Sequence, residues 1–162
     1  ICNDFLSKED INNIHIAEEA FDYFYNKGYY RNCLNYVLDN IDNPFMFFFK
    51  LGKIKLTSKR LEDSFSLLND FVKENIDLDY DEFYKHLIID YLSCFNIKPS
   101  CWWKERLTPK EKNEILRENH DNGNLYYDLN ILYKYSLVIP LRNNYIVAIY
   151  KDNTRKIIVI EK

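Results

Sequence analysis

The hydrophobic period of this chain changes once, near residue 136, and that change decides the fold class. Up to about residue 120, apolar residues recur three and four apart, the spacing of one helix face. Beyond residue 135 they run as Ser136-Leu137-Val138-Ile139-Pro140-Leu141, Tyr145-Ile146-Val147-Ala148-Ile149-Tyr150 and Lys156-Ile157-Ile158-Val159-Ile160. These are β-branched and aromatic stretches that suit strands. The links Arg142-Asn143-Asn144 and Asp152-Asn153-Thr154 are polar and short, so the three strands read as an antiparallel meander. Pro140 cannot donate a ladder hydrogen bond, which places its strand at an edge or ends it there. The expected fold is α+β and mainly helical, with about five or six helices leading into a C-terminal three-stranded antiparallel meander.

Cap chemistry divides the helical part. Ser7 followed by Glu9 and Asp10 opens a helix carrying Ile11, Ile14, Ala17, Phe21 and Phe24, which Lys27-Gly28 closes. A second spans about residues 30–39, with Cys33, Leu34, Val37 and Leu38 inward. Asn43 caps a third, with Pro44 at the first helical position, where a missing N–H costs nothing. A fourth is expected from Ser58 to near Lys73, with Leu61, Phe65, Leu68 and Phe71 in one stripe. Asp79, with Glu82 three residues on, opens a fifth carrying Phe83, Leu87, Ile88, Tyr91, Leu92 and Phe95. It stops before Pro99, because the residue preceding a proline is pushed out of the helical region. Thr108-Pro109-Lys110-Glu111 opens a sixth that ends by Asn119 or His120, and Asp121-Asn122-Gly123-Asn124 is a loop. Residues 125–135 fit either a short helix or an earlier strand.

Composition bounds function more by exclusion. The 162 residues predict a single domain over 1–162, helical over 1–120 and a meander over 134–162. The start at Ile1-Cys2 without methionine points to a piece of something longer. The 14 Tyr and 11 Phe against 3 Gly favour a thick core with few tight loops, although A/T-rich codons account for part of that bias. Formal charge is -3, from 22 basic and 25 acidic residues, without blocks of one sign. Nucleic acid binding gains nothing from such a balance. No apolar run approaches the ~20 residues of a membrane span, and no signal peptide opens the chain, so a soluble cytoplasmic setting is expected. Cys2, Cys33, Cys94 and Cys101 are most simply reduced thiols.

The stretch from His86 to Leu107, HLIIDYLSCFNIKPSCWWKERL, is the most specific: a helix pattern carries Asp90-Tyr91, breaks at Lys98-Pro99, and adjacent tryptophans follow. With Asn43-Pro44-Phe45-Met46-Phe47-Phe48-Phe49 and the run EEAFDYFYNKGYYRNCLNYVL of residues 18–38, it resembles the C-terminal domain that follows the cobalamin-binding and radical-SAM modules of one group of bacterial Fe-S oxidoreductases. There a Leu-x-x-Asp-Tyr-Leu helix leads to a Pro-x-Trp-like turn. The turn here departs from that pattern, reading Lys98-Pro99-Ser100-Cys101-Trp102-Trp103. The resemblance implies an accessory module without catalytic residues of its own, whose partners are the upstream domains of the same chain. It further implies a parent using S-adenosylmethionine, a [4Fe-4S] cluster and cobalamin, with no cofactor in this segment.

Candidate residues follow from the same stretches. Metal chelation by thiolate and imidazole needs closely spaced ligand pairs, whereas Cys94 and Cys101 are separated by a proline turn and no Cys-x3-Cys-x2-Cys triplet occurs. No metal ligand is therefore assigned. Asp90, in mid-helix among apolar residues, needs a partner. It is expected, with Tyr91, to be a structural anchor that receives hydrogen bonds from a loop or pairs with Arg31, Arg60 or Arg106; the competing reading is a carboxylate opening onto a cleft of a small enzyme. Trp102, Trp103, Tyr29 and Tyr30 are the candidates for interdomain or partner contact, with one tryptophan expected as a lid over the helical core. A stand-alone interaction module would use the same aromatics as an exposed patch. His15, His86 and His120 have no partner at a diagnostic spacing and are assigned no catalytic role.

Overall fold

The computed structural model describes residues 6–55, 58–103 and 106–162. Among them are seven α-helices followed by three strands: α1 (Lys8–Phe21), α2 (Arg31–Asp39), α3 (Pro44–Gly52), α4 (Leu61–Asn75), α5 (Tyr80–Ser93), α6 (Pro109–Asp121), α7 (Leu129–Tyr135), β1 (Ser136–Pro140), β2 (Asn144–Lys151) and β3 (Thr154–Glu161). The α+β class and the antiparallel order β1-β2-β3 agree with the sequence. Cys2 lies outside the described residues. No described helix is long and apolar enough to cross a membrane.

Most helix starts follow their caps. Ser7 and Thr108 form reciprocal capping boxes with Asp10 and Glu111, and Asn43 accepts from the Met46 amide. The Asp79 carboxylate accepts from the amides of Asp81 and Glu82. The expected start at Ser58 is corrected: α4 begins at Leu61, because the Ser58 hydroxyl accepts from the Arg60 amide and holds a local turn that competes with the helix. That helix also runs to Asn75 rather than Lys73. The ambiguous residues 125–135 supply α7, whose first turn is capped by Asp128 accepting from the Asn130 amide at 2.8 Å. Beyond Phe21 the first helix continues as a π-helical turn, Asp22–Asn26.

The chain forms two compact units, Ile1–Tyr91 and Leu92–Lys162. The division falls within α5, well before residue 120, so α6 and α7 belong with the sheet. The reason is burial. A three-stranded meander exposes apolar side chains unless helices cover it, and Leu116 of α6, Leu125, and Leu132 of α7 pack with Val147, Ile149 and Ile160 in one core.

In the first unit the core is aromatic. Ring centroids step from Phe24 to Tyr30 at 5.2 Å, Tyr30 to Phe65 at 4.4 Å and Phe65 to Tyr91 at 5.1 Å, in tilted and edge-on geometries that aromatic quadrupoles favour. α1 meets α3 where Gly52 lies close against Ile16 and Ala20. In the second unit, β2 and β3 join through Asp152 and Asn153, both at positive φ. A two-residue primed turn needs that backbone, and Asp and Asn tolerate it. Pro140 ends β1, an edge strand, as its missing donor requires.

Candidate functional site

The Asp90 carboxylate sits where a helix lacks its own cap. α2 has Tyr30 at its N-cap, and that side chain makes no capping hydrogen bond. Asp90, from α5, fills the place: Oδ1 accepts from the Asn32 amide at 3.2 Å and from Asn32 Nδ2 at 2.7 Å, and Oδ2 accepts from the Cys33 amide at 2.8 Å. These backbone groups are the second and third of the helix, the two that a capping Ser or Asp ordinarily satisfies. A full negative charge there also complements the positive end of the helix dipole. Asp90 is 4% exposed, so it does not open onto solvent.

Burial pushes the Asp90 carboxyl above its ordinary range and outweighs the amides of Cys33 and Asn32, which pull it down. The folded chain then holds this proton to a higher pH than the unfolded chain. Its contribution to stability is complete below the unfolded pKa and declines as pH rises through the raised folded value. The stability advantage of wild type over Asp90→Asn should therefore shrink as pH is raised from the acid side toward neutrality, in chemical denaturation at a series of pH values. An advantage that grows instead would mean that the hydrogen bonds prevail over burial. The neighbouring Cys33 thiol is fully buried, and burial together with the Asp90 charge pushes it well above its ordinary range. It remains a thiol, not a nucleophile.

The aromatic candidates separate. Tyr29 is 47% exposed and Tyr30 is 1% exposed. Tyr30, expected on a contact surface, is thus corrected to a core position, where its hydroxyl shares a 2.5 Å hydrogen bond with Ser64; a large ring adjoining Phe24 and Phe65 is more stable inside. Trp103 is buried at 9% exposure and Trp102 is half-buried, with ring centroids 5.4 Å apart edge to face. Tyr91 is buried against Phe65. His86 lies 3.2 Å from Glu82, His15 3.5 Å from Glu18 and His120 3.3 Å from Asp121. Among the described residues no group of three His, Cys, Asp or Glu side chains gathers at metal-ligating range.

Two concavities stand out. A cleft of about 820 Å³ in the first unit is lined by Tyr23, Lys27, Gly52, Lys55 and Glu19 among others; there Lys27 already rests 3.8 Å over the Tyr23 ring. A groove of about 320 Å³ in the second unit is lined by Lys98, Cys101, Trp103, Arg106, Lys112 and the β1 residues 136–139. It is built from the proline turn that the sequence singled out. Among the described residues no carboxylate lines this groove, while Glu19 lines the cleft. The sequence reading missed Lys112, whose only signal was its place one turn into α6, a helix that folds against the sheet.

The Lys98 ammonium donates to the Lys134 carbonyl at 3.3 Å, and the Lys112 ammonium to the Tyr133 carbonyl at 2.9 Å. Both acceptors are at the C-terminal end of α7, where carbonyls lack intrahelical donors. Arg106 donates to the Cys101 carbonyl at 3.4 Å. Burial and the neighbouring Lys98 lower the Lys112 pKa. Burial raises the Cys101 thiol pKa, against the pull of Arg106.

Fold and site together define an α+β protein with a remotely capped helical unit and a cation-lined groove beside a small sheet. The chain belongs to the family described as a protein of unknown function (DUF4080), whose model matches residues 1–139. All three stretches of distinctive sequence, residues 18–38, 43–49 and 86–107, fall within that match. No curated protein matches the chain, and no solved structure does.

Proposed function

We propose that the chain is a C-terminal accessory domain of a cytoplasmic, cobalamin-dependent radical-SAM protein, non-catalytic by itself, which covers the open side of the parent's barrel or holds its substrate or a partner. S-adenosylmethionine, the [4Fe-4S] cluster and cobalamin would all be bound upstream. The observation that carries this reading is the division of labour within the most distinctive stretch. Its acid, Asp90, is committed to the amides of α2, while its turn, from Lys98 to Trp103, lines an open groove. A stretch whose acid does structural work and whose turn faces a concavity suits a holding or covering role better than acid–base chemistry.

Two measurements test it. Reading the coding sequence upstream of Ile1 should reveal a Cys-x3-Cys-x2-Cys loop, and its absence would remove the parent. Hydrogen exchange should show residues 21–30 and 98–103 better protected in the full-length protein than in the 162-residue chain, because a covering module buries its contact surface against its neighbours. Equal protection in both would overturn the covering role.

A further inference from the structure

We propose that the groove between the Lys98–Trp103 turn, the start of α6 and β1 is a binding site for a small organic phosphate. The inference concerns the second unit alone and stands apart from the parent proposed above. Three cationic side chains, Lys98, Arg106 and Lys112, line one concavity of about 320 Å³. Among the described residues none of the three is in an ion pair; their hydrogen-bond acceptors are the carbonyls of Lys134, Cys101 and Tyr133. Carbonyl dipoles orient these groups but do not neutralise them. An ammonium has three donors and a guanidinium five, so most of the donors remain available to a ligand.

The charge arrangement selects the ligand class. Lys98 and Lys112 line the same groove; burial first, and then the Lys98 charge, lower the Lys112 pKa, and a single anion between the two would relieve their repulsion. Arg106 adds a planar fork suited to two oxygens of one group. Three cations match a phosphate dianion better than a carboxylate, which carries one charge. The rest of the lining is apolar, with Trp103, Leu137 and Ile139, and the volume lies at the low end of ligand pockets, roughly 300 to 1,000 Å³. A phosphate with an apolar or planar organic body fills both parts.

The test is a titration of the full chain with phenyl phosphate, inorganic phosphate and benzoate, read by tryptophan fluorescence and by NMR of methyl-labelled lysines. Phenyl phosphate should bind saturably and at least about tenfold more tightly than either of the other two, and should raise the Lys112 pKa in an NMR pH titration. Lys98→Gln and Arg106→Gln should each weaken it by about tenfold; both side chains are exposed, and an unchanged unfolding midpoint checks the fold. Lys98→Arg should retain binding, and Lys55→Gln, in the first-unit cleft, should leave it unchanged. Absence of saturation, affinity unaffected by both groove variants, or an equal loss in Lys55→Gln would overturn the site. Benzoate binding as tightly as phenyl phosphate would overturn the phosphate class, and inorganic phosphate doing so would overturn the organic body.

Discussion

Gly52→Ala should destabilise the chain by about 3 kcal/mol, in the upper part of the range for overpacking a close contact. A Cβ at this position would stand 2.5 Å from the Ile16 carbonyl oxygen, 2.9 Å from Ile16 Cγ2 and 3.2 Å from Ala20 Cβ. The nearest obstacle is backbone, so no rotamer change can make room and α1 and α3 must separate. Helix propensity argues for the opposite sign, because alanine in a helix is favoured over glycine by up to about 1 kcal/mol. The experiment thus decides between two effects by sign. Denaturant unfolding of Gly52→Ala and the bulkier Gly52→Val should show loss in both and more in the second. A gain in stability for Gly52→Ala would mean that the two helices do not meet at this glycine.

Asp90→Ala should cost about 3 kcal/mol, combining the loss of a helix cap at about 1 to 2 with the stranding of a buried donor at about 1 to 3. The Cys33 amide is the sensitive group, since it is buried and Oδ2 of Asp90 is its acceptor. Asn32 is exposed and can turn to water. Asp90→Asn should fall between, at about 1 to 2 kcal/mol: its amide oxygen can keep the two Asn32 donors, but its NH2 group then faces the Cys33 N–H. A local remedy should recover part of the loss. Placing Asp at residue 30 would restore a cap in cis but remove a core ring, so Arg31→Asp, an acid in the first turn, is the cleaner companion and should regain a few tenths of a kcal/mol in the Asp90→Ala background. Asp90→Ala as stable as wild type, in urea unfolding at neutral pH, would show that α2 does not depend on this carboxylate.

Much of this architecture was legible because it is written in local chemistry. Ser7, Asn43, Asp79 and Thr108 each act through donors two or three residues away, so the chain itself announces those helix starts. The three strands were legible for the same reason, as was Pro140, whose missing donor is a property of one residue. Ser58 misled because a hydroxyl can serve a cap or a turn, and only the surrounding backbone selects between them. Residues 125–135 were ambiguous because a short apolar run satisfies both periods until a tertiary surface accepts one of them.

The candidate site was less legible. That Asp90 would need partners followed from its apolar helix, but the partners, 57 and 58 residues away, could not be read from spacing. Its donors include the Asn32 side chain and the Asn32 and Cys33 amides, and the amides are groups that every sequence carries without distinction. Tyr29 and Tyr30 are adjacent and alike, yet one is exposed and the other fills the space beside Phe65.

Local patterning by itself therefore determined the element types, most of their starts and the antiparallel order, because hydrogen bonding within a turn and the side-chain period depend on neighbours in sequence. Tertiary structure alone decided which helix borrows its cap from another, which of two tyrosines is core, and that Lys98, Arg106 and Lys112 share one groove. Those outcomes depend on burial and on charges meeting through space, and the energy of each is set by groups that the chain brings together only once it has folded.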